Sequence, residues 1–152
     1  GTVLLPLILF IVTQGRFVFG AAKPVPINYL GLKNPKKDII WIGLSGPLAN
    51  FMLAFFFSIL LKLIPQSLIM EFVFKNLIFI NVILGVFNLI PIPPLDGSRI
   101  LMGILPQNLA SRYSAIEPYG FIIVILLISL GLFNIIVWPM VDFILRLMGV
   151  AY

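Results

Sequence analysis

The chain has 152 residues, of which 61% are hydrophobic and only 10% charged, whereas a soluble domain is about half apolar and a quarter charged. No interruption between the apolar runs is long enough to house a sizeable water-soluble domain, which leaves one membrane domain over residues 1–152. Ten basic residues give a net charge of +5, but they are spread over short connections, which suits orientation in a bilayer and excludes the basic face of a nucleic-acid binder. The absence of Cys and His excludes a disulfide framework, a thiolate metal site and any Ser/His or Cys/His nucleophile within these residues.

A bilayer core about 30 Å thick takes roughly 20 apolar residues as a helix. The first apolar run, Thr2 to Thr13, is too short to span and contains Pro6, so it reads as the tail of a cut helix or a segment that dips into the membrane. Gly1 enters apolar sequence at once, without an initiator Met or the basic flank of a signal peptide, and we read the chain as truncated. Arg16 to Leu32 contains Phe17, Phe19, Gly20, Pro24, Pro26 and Gly31, which favours extended chain and turns, a re-entrant or β-hairpin-like segment.

The second run, Ile39 to Leu61, is uncharged and long enough to cross. Gly43, Gly46, Asn50 and Ala54 share one side of it, a pattern that lets a neighbour approach closely, and Pro47 should bend it. The third run, Asn76 to Leu95, starts as helix, but Pro91, Pro93 and Pro94 cannot continue one, so it should stop near Ile90. The fourth, Phe121 to Val137, would cross with Tyr119 and Trp138 at the interfaces, and a short amphipathic tail, Val141 to Met148, follows. The fold class expected is an all-α polytopic membrane protein with about three to four membrane helices, one of them broken by proline. If the last three runs each cross once, seven of the ten basic residues fall on one side, which the positive-inside rule makes cytoplasmic.

Chemistry concentrates in Asn88-Leu89-Ile90-Pro91-Ile92-Pro93-Pro94-Leu95-Asp96-Gly97. A carboxylate and an amide stand eight residues apart across a rigid bend inside apolar sequence. Ionisable side chains and irregular backbone at membrane depth are costly unless they line an internal site. The plainer alternative for Asp96 is the N-cap of a following helix, Gly97 to Leu105. For Asn88 it is interhelical hydrogen bonding together with Asn81 and Gly85, which share its face.

The same stretch resembles the Asn-x-x-Pro-x-Pro-x-x-Asp-Gly motif of the site-2 protease family of zinc intramembrane metalloproteases. Gly46-Pro47-Leu48-Ala49-Asn50 is similar to that family's Gly-Pro-x-x-Asn signature, and Ala22-Lys23-Pro24-Val25-Pro26 to a loop motif of its short bacterial members. Three motifs appear in family order, and the resemblance covers nearly the whole chain. The resemblance implies that Asp96 is the third zinc ligand and that Asn88 hydrogen-bonds the substrate carbonyl or the oxyanion. It makes Gly46, Pro47, Asn50, Pro91, Pro93, Pro94 and Gly97 the structural motif around them. It also implies that Phe17, Phe19 and Gly20 belong to a strand region that holds an unwound transmembrane substrate, with a plain lipid-anchored loop as the alternative.

In the family the other two ligands and the general base come from a His-Glu-x-x-His helix, and these 152 residues contain no His. The chain alone is therefore expected to be inactive and to hold zinc loosely, whereas the full-length protein would carry about one zinc per chain. The alternative is an inactive relative that binds membrane segments without cutting them. A transporter or channel fragment fits less well, because only one broken helix occurs where transporter folds commonly pair two. The expected surroundings are a bilayer, most simply the bacterial cell membrane, and a membrane protein substrate.

Overall fold

A computed structural model describes residues 34–63, 67–131 and 133–150. The described residues fall within one compact unit. The first run, the hairpin-like stretch and Phe17, Phe19 and Gly20 lie outside the described residues.

The described residues are helical and contain no strand. Helix α1, Pro35–Leu63, runs through Pro47 without interruption. Its start is tied down by Asp38, whose Oδ2 accepts the Asn34 N–H at 3.0 Å. Helix α2, Leu68–Asn88, begins two turns before the third apolar run, because Ser67 caps the Met70 N–H at 3.3 Å and Glu71 pairs with Lys75 at 2.8 Å. That intrahelical pair lets two charges sit in the first turns of a helix that is apolar thereafter. The helix ends at Asn88, two residues before the stop expected from the prolines.

The proline bend leads into helix α3, Asp96–Ile104, then α4, Gln107–Ser114, a 3₁₀ turn at Glu117–Tyr119, and α5, Gly120–Ser129. The fourth run does not form the single helix expected over Phe121 to Val137. Leu130 leaves the helix, Gly131 takes φ +76°, and a π-helical turn, Phe133–Val137, precedes α6, Trp138–Leu147. A positive φ costs glycine little and ends a helix readily, and an apolar count does not register it. By length and composition three helical runs can cross a membrane, Pro35–Leu63, Leu68–Asn88 and the joined run Gln107–Ser129. The last of these starts well before the sequence pattern suggested, and it ends sooner. The chain is an integral membrane protein of the all-α polytopic class.

Helix α1 packs most extensively against α2 and α3. One buried cluster joins the second halves of α1 and α2 to the C-terminal part of the chain: Ala54, Ile78, Val82, Val86, Val137, Val141 and Leu145, with Val150. The tail behaves as its pattern predicts, since Val141 and Leu145 face that cluster while Asp142 and Arg146 pair at 2.9 Å on the exposed side. Because lipid is as apolar as these side chains, the cluster is held by packing contacts rather than by removal from water. Many large apolar side chains outside it, among them Phe55, Phe56, Phe72 and Ile122, are exposed, as befits a surface facing hydrocarbon.

Candidate active site

The site is assembled by backbone approaches at glycine. After Asn88 the chain turns through hydrogen bonds from Ile90 N–H to Phe87 O (3.1 Å), Ile92 N–H to Ile90 O (2.8 Å) and Leu95 N–H to Ile92 O (2.9 Å). The Pro93–Pro94 peptide is cis. The bend returns the chain so that Gly97, second residue of α3, rests directly on the Leu89 carbonyl, and a Cβ there would meet the Ile90 oxygen at 2.6 Å. The backbone carrying Asn88 and the backbone carrying Asp96 therefore meet at the contact between Leu89 and Gly97. The sequence pattern alone set these two residues eight positions apart.

Helix α3 lies against α1 along the glycine side of the latter. A Cβ at Gly43 would stand 2.7 Å from the Asp96 carbonyl oxygen and 3.0 Å from the Arg99 Cβ. One at Gly46 would stand 2.5 Å from Asp96 Oδ2. At the far end Gly103 of α3 comes within the same close range of α1, where a Cβ would be 2.7 Å from the Lys36 carbonyl oxygen. At Gly43 and Gly103 a side chain would push the two backbones apart, whereas at Gly46 it would displace the Asp96 carboxylate. The neighbour admitted by the Gly43–Gly46 side is thus a short helix carrying a carboxylate, rather than a second spanning helix.

Asp96 is half-buried in the first turn of α3 and makes no capping hydrogen bond. The N-cap position belongs to Leu95, and Ser98 Oγ donates to the Leu95 carbonyl at 2.7 Å. The capping alternative for Asp96 therefore does not hold. Its Oδ1 lies 3.4 Å from Arg99 Nη1, so the guanidinium pairs within α3 instead of reaching outward. On this helix, outside the three spans, burial pushes the Asp96 carboxyl above its ordinary range while Arg99 draws it back.

Asn88 is half-buried as the last residue of α2. The interhelical bonding considered for its face does not form at Asn81, which donates to Leu77 O of its own helix at 2.8 Å, and Gly85 is covered by the Phe51 ring. Pro47 is fully buried and Asn50, one turn beyond Gly46, is half-buried. Of the loop prolines, Pro93 is buried while Pro91 and Pro94 are exposed. Phe87, Ile90, Ile92 and Leu95 border an apolar cavity of about 100 Å³, lined also by residues of α5 and the π-helical turn.

Three contacts here have no signal in the sequence pattern. Besides Gly103, they are a hydrogen bond from the Tyr113 hydroxyl to the Pro91 carbonyl at 2.6 Å and the seating of Gly120 directly on the Pro93 backbone. Each joins residues that no periodicity relates.

A zinc site needs three or four ligands. The described residues contain no group of three His, Cys, Asp or Glu, and the 152 residues contain neither His nor Cys. They do not make a zinc site by themselves. Asp96 has the chemistry of one ligand of a shared site, being a carboxylate of limited exposure for which Gly46 leaves room.

A carboxylate in the first turn of the helix that follows a proline-stiffened loop, packed on a glycine-lined spanning helix, defines an integral membrane protein with an internal polar site. Residues 64–131, which include that loop, match the family described as Peptidase family M50, that of the site-2 proteases. The chain is 32% identical over 133 residues to "Putative zinc metalloprotease YwhC" of Bacillus subtilis, covering 82% of this chain and 61% of that protein. Two proteins of Methanocaldococcus jannaschii are also similar. "Putative zinc metalloprotease MJ0611" is 34% identical over 64% of this chain and 49% of its own length, and "Zinc metalloprotease MJ0392" is 36% identical over 50% and 22%. The chain thus spans about three fifths or less of the length of these relatives. No solved structure matches it.

Proposed function

We propose that this chain is the substrate-orienting and third-ligand part of a zinc-dependent intramembrane endopeptidase, acting in regulated intramembrane proteolysis in the bacterial cell membrane. The observation that carries the reading is the convergence of three parts of the family motif. Asp96 lies on Gly46, and the backbone bearing Asp96 lies beside that bearing Asn88. Asp96 supplies one metal ligand, and the remaining two, with the general base, come from residues outside these 152. Zinc bound in such a site supplies a water acidified toward neutral pH and polarises the scissile carbonyl. Asn88 contributes a neutral amide donor, which can stabilise a developing oxyanion without competing for the metal. The substrate is a transmembrane or membrane-associated protein, held as an added strand by the Phe17, Phe19 and Gly20 region. The 152-residue chain by itself is inactive and holds zinc weakly.

The test uses the full-length protein in detergent with a membrane-spanning polypeptide as substrate. About one zinc per chain and cleavage within the apolar segment are expected, and Asp96→Ala should remove both. A second reading, a non-catalytic protein that binds membrane segments, is favoured by the absence of histidine from these residues. A zinc-free full-length protein that retains substrate without cutting it would establish that reading in place of the first.

A further inference from the structure

The loop from Ile90 to Leu95 is anchored at its ends, where the Ser98 N–H and hydroxyl donate to the Leu95 carbonyl and Gly97 packs at the Ile90 oxygen. Between them its own hydrogen bonds are short turns, Pro91 and Pro94 are exposed, and part of the loop borders an apolar cavity. Yet it joins the residue assigned to the oxyanion to the residue assigned to the metal. Misplacing such a pair by about 1 Å can cost a hundredfold in rate.

Two contacts come to this loop from the segment after α3. The Tyr113 hydroxyl, near the end of α4, donates to the Pro91 carbonyl at 2.6 Å. The Gly120 backbone, first residue of α5, lies directly on the Pro93 carbonyl, so closely that no Cβ would fit. Residues 113 and 120 thus grip two carbonyls two residues apart on one short loop, from the two ends of the 3₁₀ connection. Pro93 and Pro94 have no N–H, so stabilisation of the loop by inward hydrogen bonding falls to carbonyl acceptors, and Pro91 O is taken by the phenol.

We infer that Tyr113 is a positioning residue for the active-site loop: its hydroxyl, together with the Gly120 seat, fixes the Pro91–Pro93 backbone and so sets the spacing of Asn88 and Asp96. The inference rests on the peptidase reading above. The Tyr113 hydroxyl bonds to the Pro91 carbonyl and acts through the backbone between the two side chains.

The experiment compares wild-type and Tyr113→Phe full-length protein, which differ by one oxygen, with Ser111→Ala as control. Ser111 lies on the same helix, and its hydroxyl, the group removed, donates to Asn108 O of its own turn at 3.1 Å. Two readouts are taken: amide hydrogen exchange across Ile90 to Leu95, and kcat and KM for a membrane-spanning substrate. Tyr113→Phe should accelerate exchange at Ile92 and Leu95 and lower kcat about fivefold, the rate equivalent of one ordinary hydrogen bond. KM, zinc content and the detergent unfolding temperature should stay at wild-type values, and Ser111→Ala should change nothing. A purely structural tyrosine would lower the unfolding temperature and leave kcat of the folded enzyme alone, and that result overturns the inference. Unchanged exchange overturns it whatever the kinetics show. A wild type that binds zinc but cuts nothing would refute the peptidase reading and the catalytic half of this inference with it. In that case exchange alone decides whether the hydroxyl holds the loop.

Discussion

Helix α1 makes two kinds of contact, one in each half. In its first half, Gly43 and Gly46 let the α3 backbone and the Asp96 carboxylate come to where a side chain would otherwise stand. In its second half, Ala54 is buried in one cluster with the branched side chains Ile78, Val82, Val141 and Leu145, and the hydroxyl of buried Ser58 is satisfied by Phe55 O of its own helix at 2.8 Å. The first contact places a polar group, and the second holds the unit together. The difference teaches that position and stability are carried by separate parts of one helix, so that each can be disturbed alone.

Substitutions in the full-length protein can break that comparison or sharpen it. The largest expected effect is at Asp96, where Asp96→Ala should abolish cleavage and take zinc from about one per chain to near zero, read by metal analysis of purified protein. Asn88→Ala follows, with a fall in kcat of about 10²–10³ and zinc retained, as expected for loss of an oxyanion donor. If zinc were lost here too, Asn88 would belong to the metal site and the assignment would need revising. Gly46→Ala should lower kcat by about tenfold to a hundredfold by displacing the carboxylate, with little change in unfolding temperature in detergent. Equal activity of Gly46→Ala and wild type would remove the positional role given to the glycine side of α1. The smallest effect is expected in the other half: Ile78→Val, at a fully buried site, should cost about 1 kcal/mol of stability and leave kcat and KM unchanged.

Helix α6 and the bend near Ile90 were legible because they depend on local chemistry: a period of apolar residues in one case, prolines without N–H in the other. The start of α2 was missed because Glu71 and Lys75 look like a membrane boundary when read singly and like a helical ion pair only once their four-residue spacing is used. The fourth run failed for the opposite reason. It is uncharged and mostly apolar, and composition does not reveal that Gly131 turns the chain. At the site, the motif residues Asn88 and Asp96 and the glycine side of α1 could be named from the sequence, but not what each of them faces.

The sequence by itself determined that the chain lives in a bilayer, where its spans begin to be possible, and which carboxylate and amide belong to the proline bend, since each of these follows from side-chain chemistry and short-range backbone limits. Only the tertiary structure decided that Asp96 rests on Gly46, that Arg99 turns inward to it, and that Tyr113 and Gly120 hold the loop between Asn88 and Asp96. The Asp96–Gly46 and Gly120–Pro93 contacts join residues up to about fifty positions apart, and they exist where a Cβ is missing, a fact of three-dimensional packing that no local pattern encodes.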